Sequence, residues 1–362
     1  MYVSNPIPSA DIPDITATPE EKVDKWKSWA RKETRLRTLL GLYVLDGQIA
    51  HFSNGTPSIR HVTNSLIFPS KESVFNAKTA DQWIIEMHQH RQPLCTFREV
   101  FISLFDPASF QAINFTSHLS VHVALEGLQA LIFENWAAAG AALGVPSRAQ
   151  ISQALLRLFD HHLEKLPSSF ESIELLLRWH AICLNLAIYA GQLCRQLCIH
   201  HGVDQHLFPK LSATPISIDI HRWVNSSDAR RALLHALYIQ ELVERLPMGR
   251  AHATHIPCSV FAAATVYSAF CTALRDHISL PGSVNWKYVW DDMLHPPSPQ
   301  DQSAYESWSF ILGFPPPRTG KLSRNIRYSL NILQGIIQKI SSQWGVAQEM
   351  SALVLAWTSR LS

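Results

Sequence analysis

The stretch TPEEKVDKWKSWARKETRLRTLLGLYVLD, Thr18 to Asp46, decides the fold class. Thr18 stands where an N-cap belongs, with Pro19 at the first helical position and Glu21 placed to return a hydrogen bond to the cap. Val23, Trp26, Ala30, Leu36, Leu40, Tyr43 and Val44 follow, mostly three to four residues apart, the spacing of one helical face. An amphipathic helix running to Asp46 or a little beyond is predicted. Asp46-Gly47 reads as a weakened last turn and Ser53 to Pro57 as a loop.

The same period continues outward from that helix. Helices are predicted from near Thr79, over Phe97 to Phe105, within the Ala-rich run Phe115 to Leu143, and from a Ser147 cap through Ile151 to Leu166. A long one is expected from Ser168 or Ser169, running Ile173 through Ile199. Asp228 to Leu246 carries Leu233, Leu237, Leu242 and Val243 on one side and mostly charged residues on the other. Arg324 to Leu361 closes the chain as one or two helices. The stretch 202–224 has two prolines and no clear period, so it is the candidate subdomain seam, and 1–17 is expected to be a flexible N-terminus. Alternating strand patterns bounded by turn residues are nearly lacking. All-α architecture, a large helical bundle or array of about ten to fourteen helices, is the expectation.

Composition agrees with a folded chain. Of 362 residues, 47% are hydrophobic and 17% charged, with 11 Trp and 16 Phe, which is too much buriable surface for disorder. The formal charge of +2 is too small for the whole-molecule field to hold a nucleic acid or an anionic membrane. Met1 to Ile15 has neither a basic n-region nor an apolar h-region, so a secretory signal is not expected and the six cysteines read as reduced, mostly buried thiols. Ile256 to Leu274 is uncharged, but its Pro257 and its serines and threonines favour a buried core helix over a membrane span.

Motifs for chemistry are few. His118-x3-His122-x3-Glu126 stacks three candidate metal ligands on one helix face, yet one helix cannot close a site. Cys194-x3-Cys198 lacks the distant second pair that a zinc ribbon or finger needs. Asp291-Asp292, with His295 in the fourth position after Asp291, resembles the start of the Asp-rich magnesium motif of all-helical prenyl-diphosphate enzymes, without the matching cluster downstream. Arg318, Lys321, Arg324 and Arg327 gather charge but no stacking aromatic. No nucleophile elbow, phosphate loop or dinucleotide fingerprint occurs, so catalytic and metal residues are assigned to none, and an enzyme is not expected.

Two blocks carry a family resemblance. Trp29-x3-Glu33-x-Arg35-x-Arg37, then Leu42 to Asp46, Phe52-x-Asn54-x2-Pro57 and Phe75-x-Ala77-x2-Ala80-x2-Trp83 make the first. Trp223-x5-Ala229-Arg230-Arg231-Ala232-Leu233-Leu234-His235-Ala236, with Pro247 and Ile256-Pro257, makes the second. Together they resemble the fungal-specific transcription factor regulatory domain, the helical half found behind zinc-finger or zinc-cluster DNA-binding regions. The resemblance implies control of RNA polymerase II transcription from the nucleus through protein contacts, as a homodimer or a heterodimer with related regulators, and leaves room for a small-molecule effector. It implies zinc only in a DNA-binding region. No Cys-x2-Cys-x6-Cys cluster or Cys2His2 finger is present in this sequence, so DNA is expected to be reached only indirectly. The expectation is a regulator without its own reader, or a chain whose upstream portion is missing. A magnesium-dependent prenyl-diphosphate lyase or transferase centred on Asp291 and Asp292, or a helical scaffold that only dimerises, are the alternatives.

The residues also have a reading apart from any family. Glu33 and Arg37, four apart, suit an ion pair; Arg35 and Asp46 are candidates for inter-helix pairing. Asn225 to Asp228 supply a helix cap and negative charge, so Arg230 and Arg231 sit at the positive end of a helix and need carboxylate or carbonyl partners.

Overall fold

The computed structural model describes residues 12–14, 16–53, 57–58, 64–90, 95–110, 115, 117–137, 144–208, 217–247, 249, 252–290, 296–298, 300–314 and 322–361. Helix makes up 69% and strand 3%, which places the chain in the all-α class. Two compact units are formed, one from residues 1–51 and 56–130, the other from 52–55 and 131–362. The stretch 202–224 falls inside the second unit, and its residues 209–216 lie outside the described residues, as do 1–11 of the N-terminal stretch.

In the first unit α1 is Pro19–Ser53, followed by α2 (Glu72–Phe75), α3 (Ala80–Gln89), α4 (Phe97–Ser103) and α5 (Pro107–Phe110); α6 (His118–Ala137) starts here and ends in the second unit. The helix α1 runs through Gly47, where the sequence placed a weakened last turn. A Cβ at Gly47 would only make ordinary van der Waals contact with the Glu126 carboxylate of α6, 3.5 Å away. Thr79 and Thr96 cap α3 and α4, the second with a full capping box to Glu99.

The second unit holds α7 (Arg148–Leu158), a π turn Phe159–Leu163, α8 (Phe170–Ala187), α9 (Ala190–His201), α10 (Ile220–Trp223), α11 (Ser227–Glu244) and α12 (Ile256–Thr272). β1 (His277–Leu280), α13 (Trp286–Trp290), α14 (Gln302–Leu312), β2 (Leu322–Asn325), α15 (Ile326–Ile340) and α16 (Val346–Thr358) complete it. The uncharged α12 is the centre, buried at every position but the half-buried Cys258 and packed on α8, α9, α11, α15 and α16. Its hydroxyls do not need water: Ser259, Thr265, Ser268 and Thr272 each donate to the carbonyl four residues back. Among the described residues no single helix is long and apolar enough to cross a membrane.

Three sequence expectations are corrected. The single helix expected over Ile173 through Ile199 is two, bent by 63°. The cause is local: the Asn185 side chain donates to the Ala181 carbonyl and accepts from the Ala190 amide, capping α9 while α8 is ending. Second, β1 and β2 pair antiparallel, His277 opposite Asn325 and Leu280 opposite Leu322, a four-residue ladder too short and too distant in sequence to show a pattern. Third, sixteen α-helices occur among the described residues, because α2, α5, α10 and α13 are single turns that carry no readable period.

Close packing in the first unit gives a direct test. A Cβ on Gly127 of α6 would come 2.5 Å from Phe101 of α4, a ring already stacked on Phe97 at 5.3 Å and edged by Phe105 at 5.8 Å. Gly127→Ala is expected to lower stability by ~1–3 kcal/mol despite its better helix propensity, measured by urea denaturation.

Candidate functional site

Among the described residues, residues from the two quoted blocks converge on a buried polar centre in each unit. In the first unit the centre is Glu33, buried on α1. Its carboxylate accepts from Arg37 Nε at 2.9 Å, from the Ser70 amide at 2.9 Å and from the Ser70 hydroxyl at 3.2 Å. Arg37 also donates to the Ser70 carbonyl at 2.6 Å and lies 4.0 Å over the Phe75 ring. The arginine thus has a carboxylate, a carbonyl and a π face together. One turn away, Trp29 meets Trp83 of α3 with ring centroids 5.5 Å apart, closing an apolar cluster with Val74, Ala77 and Ile84. Arg35 is exposed and Asp46 half-buried on the same helix; Pro57 is half-buried, and Asn54 lies outside the described residues.

In the second unit the centre lies at the start of α11. Ser226 caps the helix, and Asp228, at its positive end, binds Arg148 of α7 and Arg231 at 2.8 Å. Burial alone would raise the Asp228 pKa; the hydrogen bonds and charge of Arg148 and Arg231 outweigh it and hold the carboxyl below the ordinary carboxylate range. Arg231 is buried and donates through Nε to the Val289 carbonyl at 2.8 Å, in the last turn of α13. Arg230 donates to the Ile311 carbonyl at 3.1 Å, in the last turn of α14. Both arginines therefore sit at the wrong pole of their own helix and at the right pole of another. Gly313, at φ +80°, makes this close approach feasible, since a Cβ there would meet Arg230 Nη2 at 2.6 Å.

One turn further along α11, His235 is completely buried. Trp290 Nε1, which can only donate, lies 3.0 Å from His235 Nε2, and His235 Nδ1 lies 3.0 Å from His180 Nδ1 on α8. The tautomers follow: His235 Nε2 accepts, so its proton is on Nδ1 and is donated to His180 Nδ1, which leaves the His180 proton on Nε2. Trp286 stacks on His235 at 4.4 Å, Tyr238 stacks on His180 at 5.2 Å, and Trp179 meets both imidazoles edgewise. Burial pulls the His180 pKa down to about 3, and burial with His180 beside it puts His235 well below the normal range, so both rings are neutral. The arrangement fixes three helices against one another through neutral donors and acceptors.

Of the other quoted residues, Ala229 is buried in the same turn, Pro257 is buried at the start of α12, and Trp223 is half-buried with its ring 6.2 Å from Phe270. His180, Trp286, Trp290 and Arg148 were not singled out by the sequence reading. Only the four-residue spacing of Trp286 and Trp290, one face of a single turn, hinted at them. On α6, His122 and Glu126 approach at 3.4 Å, and Gln48 of α1 donates to Glu126 at 3.1 Å. Arg324 pairs with Glu241 at 3.1 Å and Arg327 with Asp276 at 3.3 Å. Asp291, Asp292, His295, Arg318 and Lys321 lie outside the described residues. The chain matches no protein-family model, no curated protein and no solved structure.

Two measurements check these centres. Glu33→Ala leaves the Arg37 guanidinium and the Ser70 donors without their acceptor, and a loss of about 3 kcal/mol is expected in urea denaturation; Glu33→Gln, which keeps one acceptor oxygen, should recover part of it. The buried histidines are neutral in the fold but protonate in the unfolded chain below pH ~6.5. Their contribution is therefore whole above that pH and declines as pH falls toward the folded value of about 3 for His180. Between pH 6 and 5 the stability of His180→Gln should fall less steeply than wild type, by about 1 kcal/mol per pH unit.

Proposed function

We propose that this chain is the helical regulatory domain of a fungal-type transcription regulator. It acts in the nucleus through protein contacts, as a homodimer or a heterodimer with related regulators, and reaches DNA only through a partner or an attached reader. What carries the reading is the use made of the two resembling blocks. Trp29, Glu33, Arg37 and Trp83 belong to one buried centre, while Ala229, Arg230, Arg231 and His235 belong to the other. A resemblance of scattered residues gains weight when those residues turn out to be neighbours with complementary chemistry. In this reading the polar centres are structural and catalysis is not their task.

The mechanism is a shift between arrangements of helices. The α11 start is tied to the ends of α13 and α14 by charge-assisted bonds to carbonyls, so a ligand or partner that prefers one arrangement biases the bundle and whatever reader it controls. The test is a fusion of the full chain to a heterologous DNA-binding module at a reporter promoter in fungal cells, beside a fluorescent fusion to locate it. Nuclear accumulation and a several-fold change in reporter output are expected. A folded, soluble fusion that leaves the reporter unchanged and stays outside the nucleus overturns the proposal.

A further inference from the structure

The outer side of the α11 start carries donors that the buried centres do not use. Asn225 and Arg230 bracket this end of the helix with the Ser226 cap between them, and four helical residues rise only about 6 Å. The ends of two other helices are tied to this short stretch. Arg275, exposed just beyond α12, donates through Nη2 to the Asn225 side-chain oxygen at 3.1 Å, and Asn225 in turn donates to the His221 carbonyl at 2.8 Å. Arg230 reaches the end of α14 through Nη1 and the Ile311 carbonyl at 3.1 Å.

Both of those acceptors are neutral. Among the described residues neither Arg230 nor Arg275 has a carboxylate partner, whereas Arg148, Arg231, Arg324 and Arg327 of the same unit each have one. Asp228, the carboxylate at the α11 start, is taken by Arg148 and Arg231. A guanidinium offers five N–H donors, so each of these two keeps most of its own. Burial, and after it the charge of Arg275, lowers the Arg230 pKa from its ordinary value, so the two cations feel each other. Two arginines without a counter-charge, at the positive pole of an 18-residue helix, favour an anion.

Apolar surface flanks the pair on both sides. Leu274, next to Arg275, is 82% exposed and stands at φ +58°, the position after a helix where glycine is usual. Its turn closes α12 with both bonds made, from the Leu274 amide to the Cys271 carbonyl at 3.0 Å and from the Arg275 amide to the Phe270 carbonyl at 2.9 Å. Glycine would serve that turn better, and so exposed a leucine gains little packing in return. On the other side Leu312 and Phe314 flank Gly313, the residue against Arg230, and both are exposed. Two cations make a small footprint for phosphates, and Leu274 and Leu312 offer no ring for a base to stack on. Carboxylates beside bulky apolar side chains match both halves of the surface.

We propose that Arg230 and Arg275, with Leu274, Leu312 and Phe314 beside them, dock an acidic segment of a partner protein in which Asp or Glu alternates with bulky apolar residues. Its carboxylates take the guanidinium N–H groups that Ile311 and Asn225 leave over, and its apolar side chains cover Leu274 and Phe314. The surface is read without the transcriptional proposal and stands or falls apart from it.

The test is fluorescence anisotropy of the full chain with a labelled peptide of about twelve residues that alternates Glu and Asp with Leu and Phe, beside a control carrying Gln and Asn for the acids. The acidic peptide should bind about 10-fold or more tightly than the control, and less tightly as salt rises. Arg275→Gln should weaken it about 10-fold. Leu274→Gly separates docking from structure: glycine suits φ +58°, so thermal stability should hold or rise while binding falls about 5-fold. No binding, equal binding of the two peptides, or binding that neither variant weakens overturns the proposal. So does tighter binding at these residues of a single-stranded oligonucleotide or of phosphatidylserine–phosphatidylcholine vesicles, or a self-association of the chain that Leu274→Gly abolishes. Each of these readouts is taken in solution, so none of them bears on the reporter experiment.

Discussion

The second unit depends on two cations placed against the dipole of their own helix. Arg230 and Arg231 stand in the first turn of α11, where positive charge is unfavourable by roughly 0.3–1 kcal/mol each. Asp228 and its partner Arg148 offset part of this, but the larger gain is elsewhere. Each guanidinium reaches a carbonyl in the last turn of another helix, Val289 of α13 for Arg231 and Ile311 of α14 for Arg230. Carbonyls in the last turn of a helix lack an intrahelical donor and lie at its negative pole. One turn of α11 thus satisfies two helix ends at once, and no apolar contact could do the same.

Neutral chemistry takes over one turn later. His235 and His180 are too deeply buried to carry charge, so their bond is directional without being ionic, with the proton order set by Trp290. The aromatic rings around them exclude water and add stacking contacts. Glu33 in the first unit solves a similar problem with charge, because Arg37 and Ser70 bring enough donors to hold a buried carboxylate. Both centres specify how helices align within their unit.

Part of these centres was legible in advance. The Glu33–Arg37 pair followed from a spacing of four, and the need of Arg230 and Arg231 for carboxylate or carbonyl partners followed from their place beside a helix cap. The identity of those carbonyls did not, because Val289 and Ile311 lie 58 and 81 residues away and any backbone position can accept. His180 was hidden differently. Within an apolar helix a single histidine looks like any other core position until a second imidazole and an indole are seen around it.

By itself the sequence determined most of the longer helices, their caps at Thr79, Ser147, Ser169 and Ser226, the burial of the uncharged α12 and the pairing of near neighbours on one face, since all of these are set by contacts within a few residues. The tertiary structure alone decided the β1–β2 ladder, the imidazole pair and which carbonyls Arg230 and Arg231 reach. Each of those joins groups far apart in the chain, and periodicity carries no information about which distant face a residue will meet.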